Sequence, residues 1–338
     1  ALFSNKNRST MKAILFDEIG SPSEVLYLDE IEQPQIEDDE LLIRMVGASI
    51  NPGDFLFIQN LYPEPKRPKF PRQVSGNHGA GIVVKGGKNT TIKPGAFVAF
   101  YYYDTWTEYV AVPEEWLIEL PANYPVEKAS QLLNIVTAWD LLAVSNVKPG
   151  EWLAVTAGNS AVSLMLTQFA RKKGIQVISV VRQRRKEFDK IGASATIDLS
   201  ELKGTVKEKV KEITGGKGIA GIVDNMGGPV LTDLVRSAVF NSKVIINGGM
   251  SPDNFELHNF DILLKGLEIK SYVYRYFFTP PLPGDKKELN EIIALSNEAD
   301  FYVPVGGLYE LDRFEEAIRN SIDHPSVGKN IFIFNKGQ

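Results

Sequence analysis

The stretch that decides the fold runs from Glu151 to Val181. It reads Glu151-Trp152-Leu153-Ala154-Val155-Thr156, a small-residue turn, a helical run Ala161–Lys172, and a second apolar run Val177-Ile178-Ser179-Val180-Val181. Both apolar runs are continuous rather than alternating, the pattern of strands covered on both faces. The alternation continues through helical Arg184–Ile191, strand-like Ala195–Asp198, helical Thr205–Thr214, strand Gly221–Asn225, helix Val230–Phe240 and strand Lys243–Asn247. Strands of this kind alternating with helices predict an α/β domain with a doubly wound parallel sheet, the architecture that binds dinucleotides.

Outward from this block the texture differs. From Met11 to about Ile135 the chain carries short strands (Met11–Phe16, Glu40–Val46, Gly79–Val84, Ala96–Phe100, Thr107–Val112) between Gly and Pro signals, with a loop at Asn51-Pro52-Gly53-Asp54. Four prolines, Pro63, Pro65, Pro68 and Pro71, keep the stretch after Tyr62 out of helix and central strand. Such spacing predicts a small barrel-like β domain. After Tyr274 come a Pro-rich loop, amphipathic helices at Lys286–Asn297 and Arg313–Asn320, and a last strand Asn330–Phe334. The expected division is 136–274 for the Rossmann domain, inserted into a β-rich domain made of 11–135 and 275–338. Residues 1–10 are polar and basic, and read as a tag or processed end before Met11.

Composition excludes several function classes. Of 338 residues, 37 are Lys or Arg and 42 are Asp or Glu, so the positive surplus of a nucleic-acid binder is missing. No window approaches the ~18 apolar residues needed to span a bilayer, so no membrane partner is expected. With no cysteine, there is no thiolate nucleophile, disulfide framework or Cys-ligated zinc. His78, His258 and His324 are scattered. The cytoplasm is the default compartment, with the mitochondrial matrix as the alternative if residues 1–10 are a processed end.

The turn Gly158-Asn159-Ser160-Ala161-Val162-Ser163 departs from G-x-G-x-x-G, with Ser160 and Ser163 in the second and third glycine places. Both are small, and a strand precedes and a helix follows, the context in which a backbone approaches a pyrophosphate. A nucleophile elbow is the rival reading, but Val162 stands where G-x-S-x-G needs its last Gly. At the end of the second strand, Arg182-Gln183-Arg184-Arg185-Lys186 holds four basic residues and no acid. NAD-specific folds end this strand in Asp or Glu. Guanidinium groups there match the 2′-phosphate of NADPH.

The segments Ile50-Asn51-Pro52-Gly53-Asp54, Gly76-Asn77-His78-Gly79-Ala80-Gly81, Lys93-Pro94-Gly95, Thr137-Ala138-Trp139, Lys148-Pro149-Gly150 and Asn247-Gly248-Gly249-Met250 occur in the order seen in the medium-chain dehydrogenase/reductase superfamily. The chain resembles that superfamily from Met11 onward, in particular its zinc-free quinone oxidoreductases and 2-enoyl thioester reductases. The resemblance implies a Rossmann sheet inserted into a GroES-like catalytic domain. It also implies NADPH as cofactor and dimerisation, here as a homodimer, through an edge strand in the run Tyr272–Phe278. Ile58–Tyr62 resembles the enoyl reductase segment ending in its catalytic tyrosine, Asn134 and Thr137 the stretch beside the nicotinamide, and Val180–Arg184 that family's Val-Val-Arg-x-Arg. Ala161 and Ser163 stand where these relatives carry Gly. Lys329 sits where relatives place a lysine near the cofactor, with a surface lysine as the plain alternative.

In the zinc-dependent relatives a cysteine precedes the loop Asp, and a Gly-His-Glu supplies a second ligand. The corresponding residues here are Asn51 and Asn77, so no metal is expected and His78 reads as a packing histidine. The expected activity is NADPH-dependent reduction of a C=C bond conjugated to a carbonyl. Tyr62 would act as donor to the developing oxyanion and Asn51 as helper. Trp106 and Tyr272 are tentative pocket residues. Gly158, Asn159, Ser160, Ala161, Val162, Arg182, Arg184, Gly248, Gly249, Met250, Asn134, Thr137 and Lys329 are the cofactor contacts. Small-molecule enoyl thioesters or enones are the first substrate class, quinones the second; an NADPH-binding protein with little catalysis is the reading from outside enzymology.

Overall fold

A computed structural model describes residues 9–62, 66–325 and 328–334. Residues 1–8 of the supposed tag or processed end, and Pro63 and Pro65, lie outside the described residues. The chain divides into two units, Ala1–Leu133 with Arg275–Glu298 and Pro304–Gln338, and Asn134–Tyr274 with Ala299–Val303.

The first unit begins with β1 (Thr10–Phe16), β2 (Tyr27–Glu32), β3 (Glu40–Ser49), β4 (Gln73–Val74) and β5 (His78–Gly86). It continues with β6 (Phe97–Tyr101), β7 (Tyr109–Pro113) and β8 (Ile118–Leu120). The second unit supplies β9 (Trp152–Thr156), β10 (Gln176–Val181), β11 (Ala195–Asp198), β12 (Ile219–Asp224), β13 (Ala238–Ile246) and β14 (Glu268–Ser271). The first unit closes with β15 (Val305–Tyr309) and β16 (Lys329–Ile333).

In the second unit the strand order is β11-β10-β9-β12-β13-β14 and every pairing is parallel. The order reverses beside β9, so the loops after β9 and β12 flank a crevice at the carboxyl ends of the strands, where α/β sheets bind ligands. Ile178, Val180, Ile222 and Val244 are buried with Leu231 and Leu234 of the helix Gly228–Arg236. The continuous apolar runs exist because helices cover the sheet. Thr205 and Glu208 exchange side-chain and backbone hydrogen bonds at the start of the helix Val206–Ile213.

The first unit packs a seven-stranded sheet, β15-β16-β3-β5-β6-β8 with β7 paired to β3, and a three-stranded sheet β2-β1-β4. Three local expectations are corrected, and one helix was not foreseen. Asn51–Asp54 is not a loop but the start of the helix Pro52–Ile58, because proline at the first helical position gives up an N–H that has no helical partner anyway. The expected helix Val230–Phe240 ends at Arg236, and Ala238-Val239-Phe240 opens β13 instead, where pairing of Ala238 with Ile219 of β12 overrides a helical spacing. Arg184–Ile191 contains only a short 3-10 segment, Lys186–Ile191. The helix Leu132–Ser145 went unread because its apolar residues fill nearly the whole circumference.

Trp106 is also corrected. It is fully buried beneath Gly76, its ring 5.3 Å from that of Phe332, and its indole Nε1–H points at the Ser49 carbonyl 3.4 Å away. It is a core residue. Gly76 has φ of +89°, and a Cβ there would lie 2.4 Å from Trp106 Cδ1 and 2.6 Å from Thr105 Oγ1. Replacing Gly76 by Ala should therefore cost about 2 kcal/mol or more, from the strained φ and the overpacked indole together. A urea titration checks this; an unchanged midpoint would mean the indole can shift at no cost.

Candidate active site

Asn51 ends β3's continuation and opens the helix Pro52–Ile58. Its backbone N–H donates to Asp54 Oδ2 at 2.7 Å, and its Nδ2 donates to Ser49 Oγ at 2.8 Å. Asn51 is thus occupied in capping, and the donor expected of it toward a substrate is at least half committed elsewhere. Asp54 is 2% exposed. Burial pushes its carboxyl up to about 7, against the N–H groups of Asn51 and Asn77 and the Lys66 ammonium, which favour the charged form.

Lys66 is buried too. Its ammonium donates to Asn77 Oδ1 and to the Tyr102 carbonyl, lies 3.8 Å from Asp104, and sits 4.6 Å from the centroid of the Phe57 ring. Burial pushes its pKa down, opposed by Asp104 and Asp54. Lys329, at the start of β16, is likewise pushed down by burial and held up by Asp54. Two lysines and two carboxyls, Asp54 and Asp104, therefore form the floor of this region.

Tyr62 follows the same helix and is 3% exposed. Its ring stacks on Phe277, centroids 4.8 Å apart, and meets Phe57 edge-on at 6.4 Å. A Cβ on Gly53 would lie 3.4 Å from the Tyr62 ring, so Gly53 lets the ring lie against the helix start. The Tyr62 hydroxyl is hydrogen-bonded to the Tyr101 hydroxyl. Tyr101 pairs with His78 across β5 and β6. The His78 Nδ1–H donates to the Phe100 carbonyl at 2.9 Å, while its Nε2 accepts the Leu133 N–H at 3.1 Å. Both ring nitrogens are spent, and burial pushes its pKa down to about 3.

In the second unit the expected cofactor residues gather at the carboxyl ends of the parallel strands. Gly158 is required where it stands, since a Cβ would overlap Ser179 Oγ on β10 at 1.9 Å. Ser160 caps the helix Ala161–Lys172 by accepting the Ser163 N–H, and Asn159 Nδ2 donates to the Gln183 carbonyl at 3.0 Å. That bond ties the turn holding Ala161 and Val162 to the basic segment after β10. Arg182 and Arg184 are exposed there; Arg184 holds Asp189 with two hydrogen bonds of 3.0 and 2.9 Å. Gly248 and Gly249 follow β13, and Met250, 63% exposed, bonds through its N–H to the Asn225 carbonyl. Asn134 and Thr137 lie three residues apart on the helix Leu132–Ser145, and Tyr272 bonds through its hydroxyl to Asp140 of that helix at 2.9 Å.

The structure therefore places Asn51, Tyr62 and Lys329 in one unit and the other nucleotide-contact candidates in the second. Sequence reading missed Asp54, Lys66, Tyr101 and Phe277 as site residues. Asp54 was visible in the quoted Asn-Pro-Gly-Asp, and Tyr101 in Tyr101-Tyr102-Tyr103; Lys66 was hidden in a proline-rich stretch. Also missed was the network at the strand ends: Thr156 Oγ1 donates to Asp224 Oδ1 at 2.8 Å, and Asn247 Nδ2 donates to Asn225 Oδ1 at 2.9 Å.

A parallel sheet in this order with a glycine cradle at its crevice, in a chain whose other, β-rich unit carries a sheltered tyrosine, defines a nucleotide-dependent oxidoreductase class. Residues 37–122 match the alcohol dehydrogenase GroES-like domain family, and residues 161–294 match the family described as zinc-binding dehydrogenase. The chain is 30% identical over 269 residues to the mitochondrial enoyl-[acyl-carrier-protein] reductase of Schizosaccharomyces pombe, covering 72% of each. Among solved structures it is similar to the Etr1p/NADP/crotonyl-CoA complex (TM-score 0.82, 22% identity, 96% of this chain and 100% of that one). A mycobacterial quinone oxidoreductase is similar at TM-score 0.80 and 24% identity, again over 96% and 100%. The chain belongs to the medium-chain dehydrogenase/reductase superfamily, in its zinc-free branch.

The zinc in one family's description does not fit this donor set. Asn51 and Asn77 offer carboxamides, poor ligands beside thiolate or imidazole, and His78 has no lone pair to spare. Among the described residues, no group of three His, Cys, Asp or Glu could hold a metal ion. Elemental analysis should find well under one zinc per chain, and EDTA should leave turnover intact. A tightly held equivalent of zinc would overturn this assignment.

Proposed function

We propose that the protein is an NADPH-dependent, zinc-independent reductase of the C=C bond of α,β-unsaturated carbonyl compounds, with 2-enoyl thioesters as the substrate class. The observation that carries the reading is the Tyr62 hydroxyl, sheltered between Phe277 and the helix Pro52–Ile58 and bonded to a second phenol. The name of the yeast relative and the crotonyl-CoA in the similar complex support the substrate class.

The second unit fits a dinucleotide phosphate by its own residues. Gly158 leaves the turn open for a diphosphate, the helix Ala161–Lys172 presents its N-terminus to that turn, and Arg182 and Arg184 offer guanidinium groups to a 2′-phosphate. Asn134, Thr137, Gly248, Gly249, Met250 and Lys329 are the remaining contacts in this reading. When bound, the reduced cofactor supplies a hydride to the β-carbon of the substrate.

Negative charge then develops on the thioester carbonyl oxygen. Without a metal, a hydrogen-bond donor must meet it. A phenol offers an O–H donor, which suits Tyr62 to this role. The wall of Phe57 and Phe277 keeps water from competing for the hydroxyl. In this reading the protein works as a dimer in the mitochondrial matrix, as the yeast relative's mitochondrial name suggests, rather than in the cytoplasm.

Replacing Tyr62 by Phe should lower kcat by about 10²–10³ and leave the KM for NADPH unchanged, the usual effect of losing one oxyanion donor. A kcat within about threefold of the parent would retire Tyr62 and favour the quinone reading, which the mycobacterial neighbour's name supports. Cofactor binding with no turnover on thioesters, enones or quinones would favour a binding protein instead. NADPH should be preferred to NADH. Arg182→Ala should raise the NADPH KM about tenfold or more with little change for NADH. Arg184→Ala should have a smaller effect, because Arg184 already pays for a phosphate contact by loosening Asp189. Equal use of both cofactors by the parent would sink the 2′-phosphate assignment.

A further inference from the structure

Tyr101 is the one polar side chain bonded to the hydroxyl of Tyr62 among the described residues, and nothing in the proposed reaction yet uses it. It projects from the end of β6 and is 7% exposed. Phe277 lies nearly parallel to both rings, 4.8 Å from Tyr62 and 6.1 Å from Tyr101, so one aromatic plate covers the pair. Two phenols in this arrangement share one hydrogen bond, and its direction decides what Tyr62 can do. If Tyr62 donates to Tyr101, its proton is tied up. If Tyr101 donates to Tyr62, the Tyr62 proton is free for a substrate, and the oxygen left behind keeps a donor.

We propose that Tyr101 is a positioning residue that donates its hydroxyl proton to the Tyr62 oxygen, directing the Tyr62 O–H outward and stabilising the Tyr62 phenolate formed when that proton is transferred. The inference rests on the reductase reading. In the step it serves, the β-carbon has gained a hydride and the α-carbon carries the resulting electron pair as an enolate. The Tyr62 O–H bond breaks, a C–H bond forms at the α-carbon, and the O–H electron pair stays on Tyr62. Once the product has left, water entering the vacated site returns the proton. A charged hydrogen bond in a site walled from water is worth more than a neutral one, so the benefit falls on the phenolate rather than on the resting phenol.

The surroundings favour this direction. Burial and the Asp54 charge both push the Tyr101 pKa upward, keeping Tyr101 the protonated partner. The other groups nearby do not supply the proton. His78, its ring 6.2 Å from that of Tyr101, is neutral with both nitrogens bonded. Lys66 is directed to Asn77, Tyr102 and Asp104. Asp54 holds backbone N–H groups, and the charge of Lys329 is coupled to Asp54.

The test has a kinetic and a spectroscopic arm. Tyr101→Phe keeps the ring under Phe277 and removes only the donor. With crotonyl thioester and NADPH, kcat should fall about tenfold at neutral pH, KM for NADPH should hold, and the alkaline limb of the kcat profile should move up by about one pH unit. Tyr62→Phe combined with Tyr101→Phe should be no slower than Tyr62→Phe alone. A Tyr101→Phe variant within twofold of the parent across the profile, or a double variant slower by the product of the two effects, would overturn the proposal. The spectroscopic arm needs only the cofactor-free parent, with carbon-13 at the tyrosine ring Cζ and Tyr62→Phe to assign its signal. Tyr62 should ionise before Tyr101, and the reverse order would overturn the proposal even if Tyr101→Phe failed to fold. A parent that oxidises no NADPH with any enoyl thioester refutes the reductase reading instead, and the titration order still decides the direction of the bond.

Discussion

A carboxyl with no water around it must be held by the chain itself, and Asp54 is that carboxyl. Its Oδ2 takes the Asn51 N–H at 2.7 Å, the Asn77 N–H also reaches it, and the Lys66 charge lies nearby. Removing any of these would leave a buried charge short of partners, which costs several kcal/mol. Asp54 therefore binds three separate pieces of chain: the helix start at Pro52, the strand start at His78, and the stretch around Lys66. Tyr62 depends on the result. It leaves the same helix, lies against Gly53, and reaches Tyr101 only because β6 is paired with the strand that Asn77 precedes.

The two positions that resemble zinc-ligand sites now serve this cluster instead. Asn51 supplies a cap and Asn77 accepts from Lys66. A lysine ammonium carries one positive charge on a flexible stem, with its hydrogens committed to two oxygens, and it does not coordinate a substrate oxygen as an open metal position does. In the proposed reading the polarising role passes to a neutral donor, and a phenol inside an aromatic wall is suited to it. The loss of metal and the shelter around Tyr62 are two sides of one arrangement.

Much of the second unit was legible because parallel strands covered on both faces show as unbroken apolar runs, and each was bounded by a turn residue. Misreadings fell where one period could serve two structures, as at Ala238–Phe240, whose apolar residues continue a helical spacing yet pair as strand. In the first unit, Tyr62 and Asn51 were legible through resemblance, but their surroundings were not. Tyr101 lies 39 residues from Tyr62, Lys66 belongs to no strand or helix, and a buried ion cluster has no periodicity to betray it. Trp106 shows the converse: an aromatic among aromatics reads as a pocket residue, and only its packing under Gly76 reveals a core role.

The altered glycine turn yields to the same kind of argument. The third glycine of a dinucleotide loop lets helix and strand pack closely, so a side chain there should push them apart. Ser163 avoids this by turning its hydroxyl inward, where it accepts from Ser160 at 2.9 Å and lies 3.5 Å from both the Thr156 carbonyl and Asn225 Nδ2. The hydroxyl thereby joins the network of Thr156, Asp224, Asn225 and Asn247 that links the ends of β9, β12 and β13. The first glycine place is the one that cannot change, because Gly158 abuts Ser179 on the neighbouring strand. A turn that keeps its first glycine and absorbs its third as a buried hydrogen bond leaves the helix N-terminus in place, and the departure from the motif costs the crevice little.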